Sequence, residues 1–75
     1  MNIKIIRKNN SKNLVNLKQV TNVLVNEPKT LFELKNGQDT IGIINADTQV
    51  TYFASMEHEL KFDEIEEFLL HHMGE

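Results

Sequence analysis

The dipeptide Asn36-Gly37 sits between two runs in which apolar and polar residues alternate, 31–35 and 40–44. Asn-Gly is the preferred pair for a two-residue type I′ turn. So short a loop obliges the flanking segments to pair as antiparallel strands and fixes which residues face each other. Centred on Asn36-Gly37, it predicts Lys35 opposite Gln38, Glu33 opposite Thr40 and Phe32 opposite Ile41. Ala46-Asp47 predicts a second tight hairpin, with Ile43 opposite Val50 and Ile41 opposite Tyr52. Glu27-Pro28 marks a third turn, because proline favours turn starts and avoids central strands. It sets Val25 opposite Thr30 and Val23 opposite Phe32.

These three turns agree on one face. Val23, Val25, Phe32, Leu34, Ile41, Ile43, Val50 and Tyr52 all point the same way, so residues 18–54 read as an antiparallel meander. Its second face carries Glu33, Thr40, Gln49 and Thr51, but also Leu24, Leu31, Ile44 and Phe53. Ile3 and Ile5 alternate with Lys4 and Ile6 and suggest a short N-terminal strand. Residues 7–13 are polar and loop-like, and Leu14, Val15 and Leu17 resume an apolar pattern. If these strands curl the sheet over, Leu24, Leu31, Ile44 and Phe53 are covered; if not, they form an apolar patch that wants a partner.

The C-terminal segment reads as a helix. Ile65, Phe68, Leu69 and Met73 recur at helical spacing, with Phe62 just before them. Asp63 and Glu66 have the spacing of a capping box, and Gly74 stands where a C-terminal cap belongs. Met56, His58 and Leu60 alternate, which allows a last edge strand before the helix. The expected fold is therefore α+β in a single domain, residues 1–75. It is a curled antiparallel β-meander of four to six strands, a roll or partly open barrel, packed on one C-terminal α-helix.

A chain of 75 residues buries only about 60% of its unfolded surface. It has no cysteine, so neither a disulfide nor a thiolate metal site reinforces the core. Residues 1–8 mix isoleucine with lysine and arginine and do not form a signal peptide, and no segment is apolar enough to span a bilayer. A cytoplasmic protein is expected. The abundance of Asn and Lys points to a bacterial or phage origin.

Few residues suggest chemistry. Glu67 and His71 lie four apart on one helix face, and His58 is a third candidate for a metal. Adjacent His71 and His72 point about 100° apart on a helix, so they do not converge. The dipole of the helix and the neighbouring Glu67 account for His71 without a metal. Ser11 and Ser55 lie in no nucleophile turn. Gly37, Gly42 and Gly74 are a turn, a strand interior and a cap rather than a phosphate loop. The expectation is no enzyme, no cofactor, no metal and no small-molecule substrate.

The charges are sorted along the chain. Residues 1–35 carry seven cations and two anions, whereas residues 36–75 carry one cation and nine anions; the total is −3. Lys4, Arg7, Lys8, Lys12 and Lys18 can track a phosphate backbone, which makes nucleic-acid binding the alternative function. Asp63, Glu64 and Glu67 form an acidic helix face, and a phosphate-mimicking inhibitor is the third reading. The leading expectation is a small non-catalytic protein-interaction or regulatory module. It binds another protein or itself, as a homodimer, through the face of Leu24, Leu31, Ile44 and Phe53, with Phe53 as the anchor, or through the acidic helix.

Overall fold

Seven strands and a C-terminal helix follow one another in the computed structural model, which describes residues 1–75. The strands are β1 (Asn2–Ile6), β2 (Lys12–Asn16), β3 (Asn22–Val25), β4 (Leu31–Asn36), β5 (Asp39–Asn45), β6 (Gln49–Phe53) and β7 (Glu57–Leu60). A 3-10 turn, Phe62–Glu64, leads into α1 (Ile65–His72). All strand pairs are antiparallel. They make a four-stranded sheet ordered β2-β1-β6-β7 and a three-stranded sheet ordered β3-β4-β5. The fold is thus the α+β roll expected, partly open, with seven strands divided over two sheets.

The hairpin at Gly37 is tight, but centred one residue later than the sequence suggests. Asn36 pairs with Asp39, so Gly37 and Gln38 form the loop. Gly37 has φ +61° while Gln38 does not have positive φ, which suits a turn with glycine at the first central position. The Thr21 hydroxyl accepts the Gly37 N–H at 2.8 Å and holds the turn against the start of β3. Moving the turn centre by one residue moves the register by two, which keeps the faces unchanged.

A bulge then changes them. Lys35 pairs with Thr40 but Leu34 pairs with Gly42, leaving Ile41 as the extra residue in β5. Past that point every side chain of β5 is on the opposite face from the one the simple hairpin predicts. Gly42 and Ile44 turn inward, and Ile44 is fully buried. Ile43 turns outward and is 45% exposed.

The predicted pairing of β5 with β6 does not form. Asn45 and Thr48 close a compact turn between them: Thr48 N–H and hydroxyl both donate to the Asn45 carbonyl, at 3.1 and 2.8 Å. The chain leaves this turn for the other sheet. There β6 lies between β1 and β7, with Ile5 opposite Val50 and Val50 opposite Leu60. The N-terminal strands thus do not cover the outer face of a meander. They build the second sheet, whose Ile3, Ile5, Val15 and Val50 pack against Phe32, Leu34 and Ile44 of the first.

The two sheets approach closely at the strand pair β2 and β5. Asn13 Nδ2 donates to the Ile41 carbonyl at 3.4 Å, and a Cβ at Gly42 would lie 3.1 Å from methyl groups of both Ile5 and Val15. Helix α1 lies against both layers. Ile65 and Leu69 enter the core, Phe68 packs on Tyr52 with ring centroids 4.8 Å apart, and Phe62 meets Phe32 edge-on at 5.7 Å. Asp63 is not the helix cap. Lys61 N–H donates to the Glu64 carboxylate at 2.9 Å and Glu64 N–H to the Lys61 carbonyl, so the helical turn begins earlier than the capping-box spacing predicts. At the other end Gly74 N–H donates to the Leu17 carbonyl at 2.9 Å.

Candidate interaction surface

The four residues expected to form one apolar patch are dispersed. Leu24 is 51% exposed on the outer face of the three-stranded sheet, and Leu31 is half-buried at the start of β4. Phe53 is 39% exposed on the outer face of the four-stranded sheet. Ile44 is corrected outright: the bulge at Ile41 places it in the core. The departure of β6 separates Phe53 from Leu24, so no single face presents them together.

The basic residues divide into three groups. Lys4 points outward from β1, its Nζ 3.0 Å from Glu57 Oε1 and 5.6 Å from the centre of the Phe53 ring. It is the cation that joins the basic N-terminal half to the acidic C-terminal half on this sheet. Arg7, Lys8 and Lys12 gather at the tip of the β1–β2 hairpin. Arg7 donates to Asn13 Oδ1 at 2.7 Å and to Ser11 Oγ at 3.3 Å, and none of the three has a carboxylate within salt-bridge distance. Lys18 is exposed beyond the opposite end of β2.

Of the acidic residues, Asp63, Glu64 and Glu67 are exposed. Glu64 is engaged with the Lys61 backbone, and Glu67 lies 3.9 Å from His71. His58 is distant in role: it stacks on Tyr52 at 5.0 Å, and His72 lies on Phe68 at 4.5 Å. The result is a continuous stack His58–Tyr52–Phe68–His72 that ties β7 to the end of α1. No three metal-ligating side chains converge.

A surface missed by the sequence reading lies between β3 and α1. A cleft of about 180 Å³ is lined by Val23, Val25 and Phe32 on one side and by Glu66, Leu69, Leu70 and Met73 on the other. Leu70 is 76% exposed, Met73 40% and Val25 38%. A second hollow of about 260 Å³ adjoins it, sharing Phe32 and Glu66 and bounded by Lys29, Phe62 and Asp63. Lys29 Nζ lies 3.3 Å from Glu66 Oε1 across the junction. One signal for this surface was present in the sequence. Leu70 falls off the helical stripe of Ile65, Phe68 and Leu69, so an apolar residue there has no core to enter.

Compared with known proteins, the chain matches no family model, no curated protein and no solved structure. No helix is long and apolar enough to cross a membrane.

Proposed function

We propose that the protein is a small non-catalytic interaction module that docks another protein on the open flank of its roll, between β3 and α1. The observation that carries this reading is the concentration of Val25, Leu70 and Met73, all exposed, around one cleft floored by core residues. Exposed leucines scattered singly need no explanation, but three bulky apolar side chains at the mouth of one cleft are what a protein-docking surface presents. The reading places the module in the cytoplasm of a bacterium or in a cell infected by a phage. Photo-crosslinking tests it. Benzoylphenylalanine in place of Leu70 should yield a discrete higher-mass adduct in cells, whereas the same residue in place of Asp47, at an exposed turn that does not line the cleft, should not. No adduct, or equal adducts from both positions, removes the reading.

Nucleic-acid binding is the second reading. It is supported by Arg7, Lys8, Lys12 and Lys18, which are exposed and free of carboxylate partners. It is weakened on the neighbouring sheet face, where Lys4 is already paired and Glu57 flanks Phe53.

A further inference from the structure

We infer that the protein molecule docked on this flank is a second copy of the chain, joined β3 to β3 about a two-fold axis through Leu24. The inference rests on the interaction reading above and names the occupant of the same site.

The first ground is the sequence of the edge. Residues 22–26 read Asn-Val-Leu-Val-Asn, the same in both directions. Two antiparallel copies centred on Leu24 therefore set each residue opposite its own kind: Leu24 on Leu24, Val23 on Val25 and Asn22 on Asn26. Apolar side chains directly opposite one another stabilise a strand pair, and asparagine carries both donors and an acceptor, so it can meet another asparagine. Moving the axis to Val23 or Val25 sets Leu24 against an asparagine instead.

The second ground is the backbone. β3 is an outer strand, bonded to β4 alone. Asn26 N–H donates to the Leu31 carbonyl at 3.3 Å, so Asn26 and, by alternation, Leu24 turn their amides toward β4. Val23 and Val25 consequently turn theirs away from it, toward the open flank. An axis through Leu24 sets Val23 of one copy opposite Val25 of the other, so outward groups meet outward groups. Each such pair exchanges N–H to C=O bonds in both directions, and the two three-stranded sheets become one.

The third ground is what the edge exposes and how it is charged. It is apolar on both faces: Leu24 is 51% exposed on the outer face, while Val25, Leu70 and Met73 are exposed around the cleft on the inner one. An occupant of the cleft alone leaves Leu24 bare. A strand apolar on both faces covers both, and β3 is such a strand. The axis stands perpendicular to the sheet, so both α1 helices lie on one side of it and the two clefts adjoin. No like charges meet. β3 carries none, the one carboxylate lining the cleft, Glu66, is paired with Lys29, and Glu27 falls opposite Thr21. The outer strand β7 lacks this property, because self-pairing there sets Glu57 and Glu59 against one another. A standard interface buries about 800 Å² per partner. One strand edge and a helix rim bury less, so the dimer is a weak one that dissociates at micromolar concentrations.

Sedimentation of the whole chain tests it. The mass should rise from 8.7 kDa toward twice that value with concentration. The same rise, followed by NMR on ¹⁵N-labelled protein, should slow exchange of the Val23 and Val25 amides and shift Leu70 and Met73. Leu24→Lys sets two ammonium groups face to face and should weaken the dimer about tenfold or more; Leu24 is exposed enough for that variant to fold. The chain has no cysteine, so a single one reads the register. Across a non-hydrogen-bonded antiparallel pair the Cα atoms lie about 4.5 Å apart, within disulfide reach. Oxidised glutathione should therefore link Leu24→Cys into a dimer and leave Asn22→Cys, which faces Asn26, unlinked. A monomer at every concentration up to about 1 mM, amide protection elsewhere, undiminished dimerisation of Leu24→Lys, or equal linking of both cysteine variants overturns the inference. If Leu70 crosslinks in cells to a chain of another mass while the purified protein stays monomeric, the interaction reading stands and self-pairing alone falls.

Discussion

Thr51 shows how closely a single side chain can be placed and still be mismatched to its surroundings. It lies mid-way along β6, opposite Lys4 on one side and Glu59 on the other, on the outer face of the four-stranded sheet. The long side chains around it leave it 5% exposed, and its hydroxyl finds no hydrogen-bond partner. Burying a hydroxyl unpaired costs about 1–3 kcal/mol. Valine has the same shape and the same strand preference without the hydroxyl. Thr51→Val should therefore raise the unfolding free energy by about 1 kcal/mol in urea denaturation. A loss of stability would mean that the hydroxyl is in fact bonded. The sequence alternation did assign Thr51 to the outer face. It did not show that neighbouring chains close over that face, because burial of this kind comes from long polar side chains and not from an apolar pattern.

At the scale of elements, the same alternation located most of the structure. The strands at Ile3 and Ile5 and at Glu57–Leu60 and the helix from Ile65 lie where periodicity puts them, and the turn at Gly37 is displaced by one residue. What alternation does not encode is an interruption of itself. The bulge at Ile41 adds one residue between two correctly identified strands, and a one-residue change exchanges the faces. Ile44 therefore moved from the candidate surface to the core, and Ile43 the other way. Gly42 is the physical reason the bulge is useful. It brings a residue without a side chain to the place where the sheets are closest, with Ile5, Val15 and Leu34 methyls 3.1, 3.1 and 3.3 Å from where a Cβ would be. Valine there adds three carbons to a filled space. Gly42→Val should destabilise the protein by about 2–3 kcal/mol and lower Tm by about 10 °C or more. A melt within a degree or two of the parent would mean that β5 can move away from β2, and that the sheets are not tightly joined on that side.

For the whole molecule, the charge sorted along the sequence is also sorted in space, with two cross-links. Lys4–Glu57 and Lys29–Glu66 join cations of the first half to anions of the second. Both pairs are partly exposed, and each contributes no more than about 1 kcal/mol. They leave six cations without a carboxylate partner: Arg7, Lys8 and Lys12 at the hairpin tip, Lys18 beyond β2, Lys35 and Lys61. The cleft beside α1 was not legible in advance, because it joins β3 to a helix some forty residues later, and neither segment reveals alone that the other flanks it. The basic residues were legible, and their number now limits what they can do. The four candidate cations that remain, Arg7, Lys8, Lys12 and Lys18, neutralise at most four phosphates, which on a single strand gives a slope of about −3 in log K against log salt. Binding of that kind falls about fifty-fold across a fourfold rise in salt. Anisotropy with random-sequence single-stranded DNA should therefore show at most weak binding at low salt, gone at physiological salt. Replacing Arg7, Lys8 and Lys12 by Glu should erase it without altering the Leu70 crosslink. Tight binding that survives physiological salt needs base stacking or contacts these four residues do not supply. It would move the functional surface from the flank of α1 to the outer face around Phe53.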